Sequence, residues 1–280
     1  MRIGVTGSAG FTGAYLADAL AEAGHEAVAI RADLTDPVAL GTDIATVAPD
    51  AVIHLAGSAF VAADDIQAFY AVNQLGSFNL LESLARHRPG CRVLLASSAQ
   101  VYGDAASGRV DEDHPTRPAN HYALSKLAME MGARFWADKL VPIIARPFNY
   151  TGRGQQDRYL IPKIVQHFRE RRTVIELGNI DVERDFGDVR AVARAYAGLI
   201  GQADATGTVN VATGNPHSVR DVIAMAERLT GHRIDVVVNP AFVRANDVPR
   251  LVGDNGRLRA LLPEWKPMEL EATLAWMLAA

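Results

Sequence analysis

A glycine-rich turn between a short apolar run and an amphipathic segment constrains this sequence most. The run at residues 3–6 ends at Gly7, and Gly10 and Gly13 follow in the spacing G-x-x-G-x-x-G. The first glycine permits a tight turn, the second lets the backbone approach a pyrophosphate, and the third lets a helix pack against the strand. The N–H groups that open the helix at 11–23 then face the phosphates. The pattern therefore predicts a dinucleotide site in preference to a purely structural turn, with cofactor contacts from Gly7, Gly10, Phe11, Thr12 and Gly13.

Strand-like and helix-like segments alternate through the first half of the chain. Apolar runs typical of buried strands lie at 3–6, 26–30, 51–55, 92–96 and 141–145. Segments with helical apolar spacing lie at 11–23, 36–47, 66–88 and 121–139. Regular alternation of this kind predicts an α/β fold of the Rossmann type, with a doubly wound parallel sheet.

The alternation loosens after about residue 150. Helices are predicted at 158–170, 189–201, 218–230 and 269–279, strands at 207–212 and 234–238, and irregular chain at 239–253. We predict a dinucleotide-binding domain at 1–150 and a smaller C-terminal substrate-binding lobe at 151–280, with some chain returning to the Rossmann core. The lobe is expected over the carboxyl ends of the strands, where ligands bind in open α/β sheets.

Composition and charge exclude several classes of protein. The 280 residues are 49% hydrophobic and 21% charged, with a net charge of -4, which is typical of a soluble globular protein and not of a nucleic-acid-binding one. Cys91 is the single cysteine, so a disulfide framework is excluded and a reducing compartment is favoured. We expect a cytoplasmic protein, because the first residues lack a signal-peptide pattern and no window approaches the length of a membrane span.

Tyr122 and Lys126 form the pattern Y-x-x-x-K within the helix predicted at 121–139. Side chains four residues apart share one helix face, so the phenol and the ammonium point the same way. The cation is expected to lower the pKa of the phenol from its ordinary value of about 10 towards working pH, which suits a proton donor. Ser98 follows the strand at 92–96, where a hydrogen-bond donor to a substrate carbonyl is expected.

These motifs together resemble the extended short-chain dehydrogenase/reductase family, over essentially the whole chain. The resemblance implies that Tyr122 is the catalytic acid and base, that Ser98 polarises the substrate carbonyl and that Lys126 holds the nicotinamide ribose. It also implies a cofactor role for Asn73, within V-N-x-x-G on the preceding helix. The small residues that end the strand at 51–55 are expected to let the adenosine half lie close to the backbone; they are Leu55, Ala56 and Gly57. His54 is interpreted as a packing residue, and no metal site is expected.

The C-terminal half narrows the resemblance to enzymes of GDP-linked sugars. The segment at 146–155 resembles one in GDP-4-keto-6-deoxymannose reductases, and the segment at 177–189 resembles one that is shared with GDP-mannose dehydratases. The dehydratases carry a glutamate base two residues before a tyrosine-glycine pair, and this chain has Gln100 there. The segment at 244–249 fits the same group. The resemblance as a whole implies substrate contacts from Gln100, Asn149, Lys163, Asn179, Arg184 and Arg244.

The end of the second predicted strand bears on the choice of cofactor. Arg31 follows this strand and suits a 2′-phosphate, which favours NADPH, with NADH left as an alternative. Asp33 lies where a ribose-binding acid is expected, 20 residues after Gly13; we interpret residues 33–36, which include Leu34, as a turn beside the adenine. The short stretch between Ile30 and Ala51 lacks one strand–helix unit, as in dTDP-4-dehydrorhamnose reductases.

The function expected from these features is reduction of a nucleotide-linked 4-keto-6-deoxy sugar by NAD(P)H, with GDP-4-keto-6-deoxymannose favoured as substrate. Three alternatives stay open: a 4-epimerase that keeps its NAD bound, a reductase of the dTDP-4-dehydrorhamnose type, and a non-catalytic sensor of a nucleotide sugar or NADP. By resemblance, the helices at 66–88 and 121–139 imply a homodimer. No nucleic-acid or membrane partner is expected.

Overall fold

The computed structural model describes residues 1–58, 66–105, 108–243 and 248–279. The strands in these ranges are β1 (Arg2–Thr6), β2 (Glu26–Ile30), β3 (Ala51–His54), β4 (Arg92–Ala96), β5 (Arg109–Val110), β6 (Val141–Pro147), β7 (Asn149–Thr151), β8 (Val174–Leu177), β9 (Glu183–Asp188), β10 (Gly207–Val211), β11 (Pro216–Ser218), β12 (Asp235–Val238) and β13 (Arg250–Gly253). The α-helices are α1 (Phe11–Glu22), α2 (Pro37–Val47), α3 (Ile66–Ala68), α4 (Ser77–His87), α5 (His121–Ala133), α6 (Leu160–Arg169), α7 (Val189–Gly201), α8 (Val219–Thr230), α9 (Gly256–Leu261) and α10 (Leu270–Leu278).

The central sheet has six parallel strands in the order β10-β6-β4-β3-β1-β2. The chain runs outward from β1 in both directions, and the switch point lies between β1 and β3, as in doubly wound sheets. The Rossmann-type α/β prediction is confirmed. Strand β2 forms one end of the sheet because the chain goes directly from β2 through α2 to β3. The inference that one strand–helix unit is missing before Ala51 is therefore correct.

Helices cover both faces of the central sheet, which explains the continuous apolar runs in its strands. One face packs against α1 and α7, with Leu16, Leu20 and Leu199 in that core. The other face packs against α2, α4 and α5, with Leu40 and Leu84 in that core. The carboxyl ends of β1, β3 and β4 therefore open at one edge of a rigid layered body.

A second group of elements lies in the C-terminal half. Strands β11, β9, β13 and β5 form a sheet to which β7 adds beside β9, and β8 pairs with β12. Helices α6, α8 and α10 surround a separate apolar core that includes Phe168, Ile175 and Leu274. Strand β10 and helix α7 return to the central sheet. The division into domains at residue 150 stays a prediction.

Several elements differ from the sequence prediction, which did not include β5, β7, β8, β9, β11 or α9. The helix expected at 66–88 contains a π-helix at Phe69–Gly76 between α3 and α4, because apolar spacing does not distinguish a π turn from an α turn. The helix expected at 121–139 ends as α5 at Ala133 and continues only as a 3₁₀ turn at Arg134–Trp136. The region expected to be irregular contains β13, which pairs with β9 and β5, both distant in sequence.

Candidate active site

The glycine turn leaves room for an anion at the start of α1. Gly7 has a φ of +69°, and a Cβ there would meet the backbone nitrogen of Ala56 at 2.7 Å. Gly10 is exposed, and a Cβ there would meet only Gly7 O, at 3.1 Å. Gly10 is also the N-cap of α1, without a side-chain cap and without an acidic residue in the first turn. The backbone N–H groups in the first turn of α1 are therefore open to a phosphate, so the turn fits a dinucleotide.

The loop after β3 is attached to the helices that follow it. The Asn73 amide donates to Ser58 O at 2.9 Å and to Ser125 Oγ at 3.0 Å, and its oxygen accepts from Ser58 N at 2.8 Å. A Cβ on Gly57 would meet Asn73 Oδ1 at 2.9 Å and Lys126 Nζ at 3.2 Å. The structure thus places the predicted cofactor residues Gly57 and Asn73 beside Lys126, with the Asn73 amide supporting the loop.

The three predicted catalytic residues meet where β4 ends and α5 begins. Ser98 and Tyr122 are buried, and the Ser98 hydroxyl lies near enough to the Tyr122 phenol to lower its pKa. Lys126 is also buried and donates from Nζ to Ala96 O at 2.8 Å. Helix α5 is capped by Asn120, whose oxygen accepts from Ala123 N at 2.8 Å. The structure therefore brings a serine hydroxyl, a phenol and an amine together at the end of β4. We call these three predicted catalytic residues, Ser98, Tyr122 and Lys126, the catalytic wall.

Burial controls the protonation of this wall. It raises the pKa of Tyr122 above its ordinary value, opposed by the nearby Ser98 hydroxyl. Burial also lowers the pKa of Lys126 to about 8, opposed by the Glu130 carboxylate. The expectation that Lys126 lowers the pKa of Tyr122 is wrong for the protein alone. Loss of solvation determines the direction of the Tyr122 shift, and the Lys126 ammonium is directed to a backbone carbonyl.

An aromatic contact joins the first helix to the C-terminal half. The rings of Phe11 and Tyr150 stack with their centroids 6.1 Å apart. The hydroxyls of Thr12 and Tyr150 are hydrogen-bonded at 2.8 Å. Two of the predicted cofactor residues thus contact the residue that follows Asn149, which lies exposed at the start of β7.

The carboxyl end of β2 presents Arg31 to solvent. The Asp43 carboxylate accepts from Arg31 N at 2.6 Å and from Ala32 N at 2.9 Å, which fixes the backbone there. Asp33 Oδ1 accepts from the backbone and hydroxyl of Thr35, both at 2.8 Å. Asp33 is therefore engaged in its own turn, whereas the Arg31 side chain is exposed. Leu34 is buried beneath this turn.

The predicted substrate residues are distributed over the opening and the lobe. Gln100 lies beside the start of α5, where its Oε1 accepts from Asn120 at 3.1 Å. In the lobe, Lys163 donates to Glu176 O at 2.7 Å, and its ammonium lies 4.9 Å from the centre of the exposed Phe242 ring. Asn179 is exposed after β8 and Arg184 lies half-buried on β9. Arg244 lies outside the described residues.

His54 is a packing residue, as interpreted from the sequence. It is fully buried and its ring nitrogens are paired with Thr6 Oγ1 at 2.7 Å and Ser77 Oγ at 2.8 Å. Burial lowers the pKa of this imidazole to about 3, so it is neutral. Among the described residues, no group of His, Cys, Asp and Glu side chains could hold a metal ion. No helix in the same ranges is long and apolar enough to cross a membrane.

Sequence reasoning missed a buried polar cluster below the catalytic wall. The Glu130 carboxylate pairs with Arg146, with Nη2–Oε2 at 2.6 Å and Nε–Oε1 at 3.0 Å. The Ser97 hydroxyl donates to the same carboxylate. The one available signal was that Glu130 follows Tyr122 and Lys126 at spacings of four on α5. Arg146 was recognised only as part of a motif.

The comparisons agree with the fold and assign the chain to a family. Residues 3–212 match the model of the NAD dependent epimerase/dehydratase family, and the chain belongs to this family. The resemblance to extended short-chain dehydrogenases/reductases is thereby confirmed.

Relatives with assigned activities cover nearly the whole chain. The GDP-6-deoxy-D-mannose reductase of Pseudomonas aeruginosa is 35% identical over 95% of this chain and 92% of its own. The GDP-6-deoxy-D-talose 4-dehydrogenase of Aggregatibacter actinomycetemcomitans is 33% identical over 94% and 91%. The solved structure of RMD from P. aeruginosa complexed with NADPH has a TM-score of 0.91 and 33% identity, covering 99% and 97%. This chain is therefore an NAD(P)-dependent oxidoreductase that acts on a nucleotide sugar.

Proposed function

We propose that the protein reduces the 4-keto group of GDP-4-keto-6-deoxymannose, with NADPH as the electron donor. The observation that carries this proposal is the buried contact between Ser98 and Tyr122, with Lys126 one helical turn further on. Such a constellation suits delivery of a proton to an oxygen that gains negative charge. The similarity to two enzymes of GDP-linked 6-deoxy sugars supports the choice of substrate.

The proposed roles follow from the positions of the side chains. Bound NADPH supplies the hydride that is added to C4 of the sugar. Ser98 donates a hydrogen bond to the C4 oxygen, and Tyr122 transfers its phenolic proton to that oxygen. Because burial keeps Tyr122 protonated, the phenol is in the correct state for a donor at neutral pH. Lys126, as an ammonium, stabilises the phenolate that remains and holds the nicotinamide ribose.

A panel of 4-keto sugars linked to GDP, dTDP and UDP tests the proposal, each assayed with NADPH and with NADH. We expect NADPH oxidation with the GDP-linked 4-keto-6-deoxy sugar and little with the others. The products GDP-6-deoxymannose and GDP-6-deoxytalose differ only in the configuration at C4, so NMR of the product assigns the face of hydride attack. Absence of turnover with every 4-keto sugar would refute the proposal.

A 4-epimerase is the second candidate, favoured by the family to which the chain belongs. An epimerase returns the hydride to the same sugar and retains its dinucleotide, whereas a reductase exchanges it at every turnover. Absorbance and mass spectrometry of the purified protein distinguish the two activities. We expect no stoichiometric co-purifying NAD, and we expect freely exchanging NADPH. Tightly bound NAD with interconversion of GDP-sugar epimers would replace the proposal by this alternative.

We also propose that the protein is a cytoplasmic homodimer joined through α5 and the π-helix. Four exposed apolar residues lie along these elements: Leu75 on the π-helix, Leu124 and Met131 on α5, and Phe135, which is 83% exposed, on the 3₁₀ turn that follows α5. Apolar side chains on adjoining helices support an association surface. Light scattering of the wild type and of Phe135→Glu tests it: we expect a dimer that the charged residue weakens, and a monomeric wild type would refute the proposal.

A further inference from the structure

The polar cluster of Ser97, Glu130 and Arg146 connects the end of β4, which carries Ser98, to helix α5, which carries Tyr122 and Lys126. Ser97 immediately precedes Ser98 at the end of β4, and Glu130 lies on α5 two turns after Tyr122. The bond from the Ser97 hydroxyl to the Glu130 carboxylate therefore crosses from the strand end to the catalytic helix. Arg146 lies on β6, the neighbour of β4, and holds the carboxylate from the third side.

The surroundings of the cluster leave this carboxylate little freedom. Ser97, Glu130 and Arg146 are all buried. The guanidinium carbon of Arg146 lies 4.8 Å from the centre of the Tyr102 ring, and the Tyr102 hydroxyl donates to Asn210 at 2.7 Å. A charged pair at such a site costs desolvation energy, and an apolar pair of similar volume is often equally stable. Fold stability alone therefore does not explain the pair, whereas a need to orient the neighbouring groups does.

The same carboxylate acts on the catalytic lysine. Glu130 is one helical turn beyond Lys126 on the same face of α5, and its charge favours the protonated lysine against the effect of burial. The ammonium of Lys126 donates to Ala96 O, one residue before Ser97. Two bonds from α5 thus reach consecutive residues at the end of β4.

We propose that Glu130 is a positioning residue for the reduction, and that it acts through Ser97 and Lys126. It holds the end of β4 against α5, so that the Ser98 and Tyr122 hydroxyls stay in contact and the Lys126 ammonium stays in place. This inference rests on the proposed function, because it assigns those three residues to the chemistry. Ser97 is the contact that transmits the position of the carboxylate to Ser98.

The chain offers a matched control in a second triad, formed by the buried Thr273 and Asp188 with the partly buried Arg190. Thr273 donates from its hydroxyl to Asp188 Oδ2 at 2.8 Å, and Asp188 pairs with Arg190 at 2.6 Å. This arrangement repeats the hydroxyl, carboxylate and guanidinium of the first cluster away from the catalytic wall. Ser97→Ala and Thr273→Val therefore remove the same kind of bond at two places.

The experiment compares four variants by their kinetics with NADPH and GDP-4-keto-6-deoxymannose, and by thermal unfolding. We expect Ser97→Ala and Glu130→Gln to lower kcat between about 10- and 100-fold, as small displacements of catalytic groups do. The KM for NADPH should be unchanged in Ser97→Ala, which leaves Glu130 and Lys126 in place. Thr273→Val and Asp188→Asn should lower the unfolding temperature and leave kcat unchanged. Equal losses of kcat in both triads, or wild-type kcat in folded Ser97→Ala and Glu130→Gln, would overturn the proposal.

A second measurement does not need the sugar. Pulse labelling of Lys126 with acetic anhydride, followed by mass spectrometry across pH, reports where this amine loses its proton. Glu130→Gln removes a favourable charge, so the midpoint should move to lower pH, whereas Asp188→Asn should leave it unchanged. An unmoved midpoint in Glu130→Gln would contradict the proposed action on Lys126. Tyr122→Phe separates the two hypotheses, because full activity there refutes the proposed function itself.

Discussion

The side-chain amide of Asn120 donates a hydrogen bond to Oε1 of Gln100 over 3.1 Å. Because Asn120 is also the N-cap of α5, this bond ties Gln100 to the start of the helix that carries Tyr122. By the sequence resemblance, Gln100 matches the position at which GDP-mannose dehydratases carry a glutamate base. A carboxamide does not accept a proton at neutral pH, so Gln100 cannot act as a general base.

We predict from Gln100 that the protein does not dehydrate GDP-mannose. Loss of water across C5 and C6 requires a base at the far end of the sugar, and the amide is not one. Incubation with GDP-mannose and NADP, followed by chromatography for a 4-keto product, checks this. The same preparation must reduce a GDP-linked 4-keto sugar as the positive control. Formation of the 4-keto product at a rate comparable to that reduction would contradict the prediction.

Replacement of Tyr122 by Phe should abolish proton donation and leave the binding of NADPH nearly intact. General acid catalysis contributes about 10²–10⁴-fold to rate, and we expect kcat to fall within that range. Stopped-flow kinetics and fluorescence titration with NADPH provide the two measurements. The variant retains the ring that lies 6.0 Å from Phe69, centre to centre, so its fold should be preserved.

Ser98→Ala serves as the comparison for that variant. It removes one donor to the developing oxyanion and should also lower kcat, with Tyr122 still in place. Turnover at the wild-type rate in either variant would show that the assigned residue does not take part in the chemistry.

The depressed pKa of Lys126 predicts an alkaline limit to activity. Burial lowers this pKa from 10.5 to about 8. The lysine therefore carries its charge below about pH 8 and loses it as the pH rises, and kcat should decline over the same interval. Between pH 8 and 10.5 the unfolded chain binds more protons at this group, so its contribution to stability becomes more favourable as pH rises. A loss of activity between pH 8 and 10.5 would therefore not be caused by unfolding that follows from deprotonation of Lys126.

A pH profile of kcat at saturating substrate measures this limit. Lys126→Arg is the informative variant, because a guanidinium keeps its charge throughout the range. We expect lower turnover in this variant but no decline near pH 8. The same decline in both proteins would assign the alkaline limit to another group.

Arg31 should determine the preference for NADPH. Its exposed guanidinium at the end of β2 can pair with a 2′-phosphate, and Asp43 fixes the backbone on which it stands. A charge-assisted hydrogen bond contributes about 1.5–3 kcal/mol, so Arg31→Ala should lower kcat/KM for NADPH roughly 10- to 100-fold. The value for NADH should be unchanged. Equal values for NADPH and NADH in the wild type, unaltered in Arg31→Ala, would refute this assignment.

We predict that the nucleotide moiety of the substrate is GDP. Arg184 lies half-buried on β9 in a segment that resembles GDP-sugar enzymes, and arginine suits a pyrophosphate. By calorimetry, GDP should bind at least tenfold more tightly than dTDP or UDP, which corresponds to about 1.4 kcal/mol. Arg184→Ala should weaken GDP binding. Equal affinity for the three nucleotides would exclude this specificity and leave the reductase chemistry untouched.

Local patterns made the Rossmann core predictable from sequence. Strands such as β3 and β4 are continuous apolar runs, and the glycine turn depends on near neighbours in the chain. Strands β7, β11 and β13 were missed because each has three or four residues and gains its stability from partners far away in sequence. A short segment of this kind has no periodicity to detect.

The candidate site also contains features that local sequence predicts and features that depend on tertiary contacts. Tyr122 and Lys126 are four residues apart on one helix, so their proximity follows from helical geometry. Glu130 and Arg146 could not be paired from sequence, because their contact requires β6 to lie beside β4 and under α5. The direction of the Tyr122 pKa shift was also beyond reach, since it depends on how completely the fold removes water from the phenol.

The π-helix at Phe69–Gly76 sets the angular phase of the helix that follows it. An α-helix turns by roughly 100° per residue. A π turn contains more residues, so each residue rotates by a smaller angle and every later side chain points in a different direction around the axis. Asn73 faces α5 in one phase, while Leu80 and Leu84 of α4 face the sheet in another. Deletion of one residue here would rotate one set away from its partners. The number of residues in this segment therefore links the support of the cofactor loop to the packing of the core. An insertion or deletion here would disturb at least one of the two.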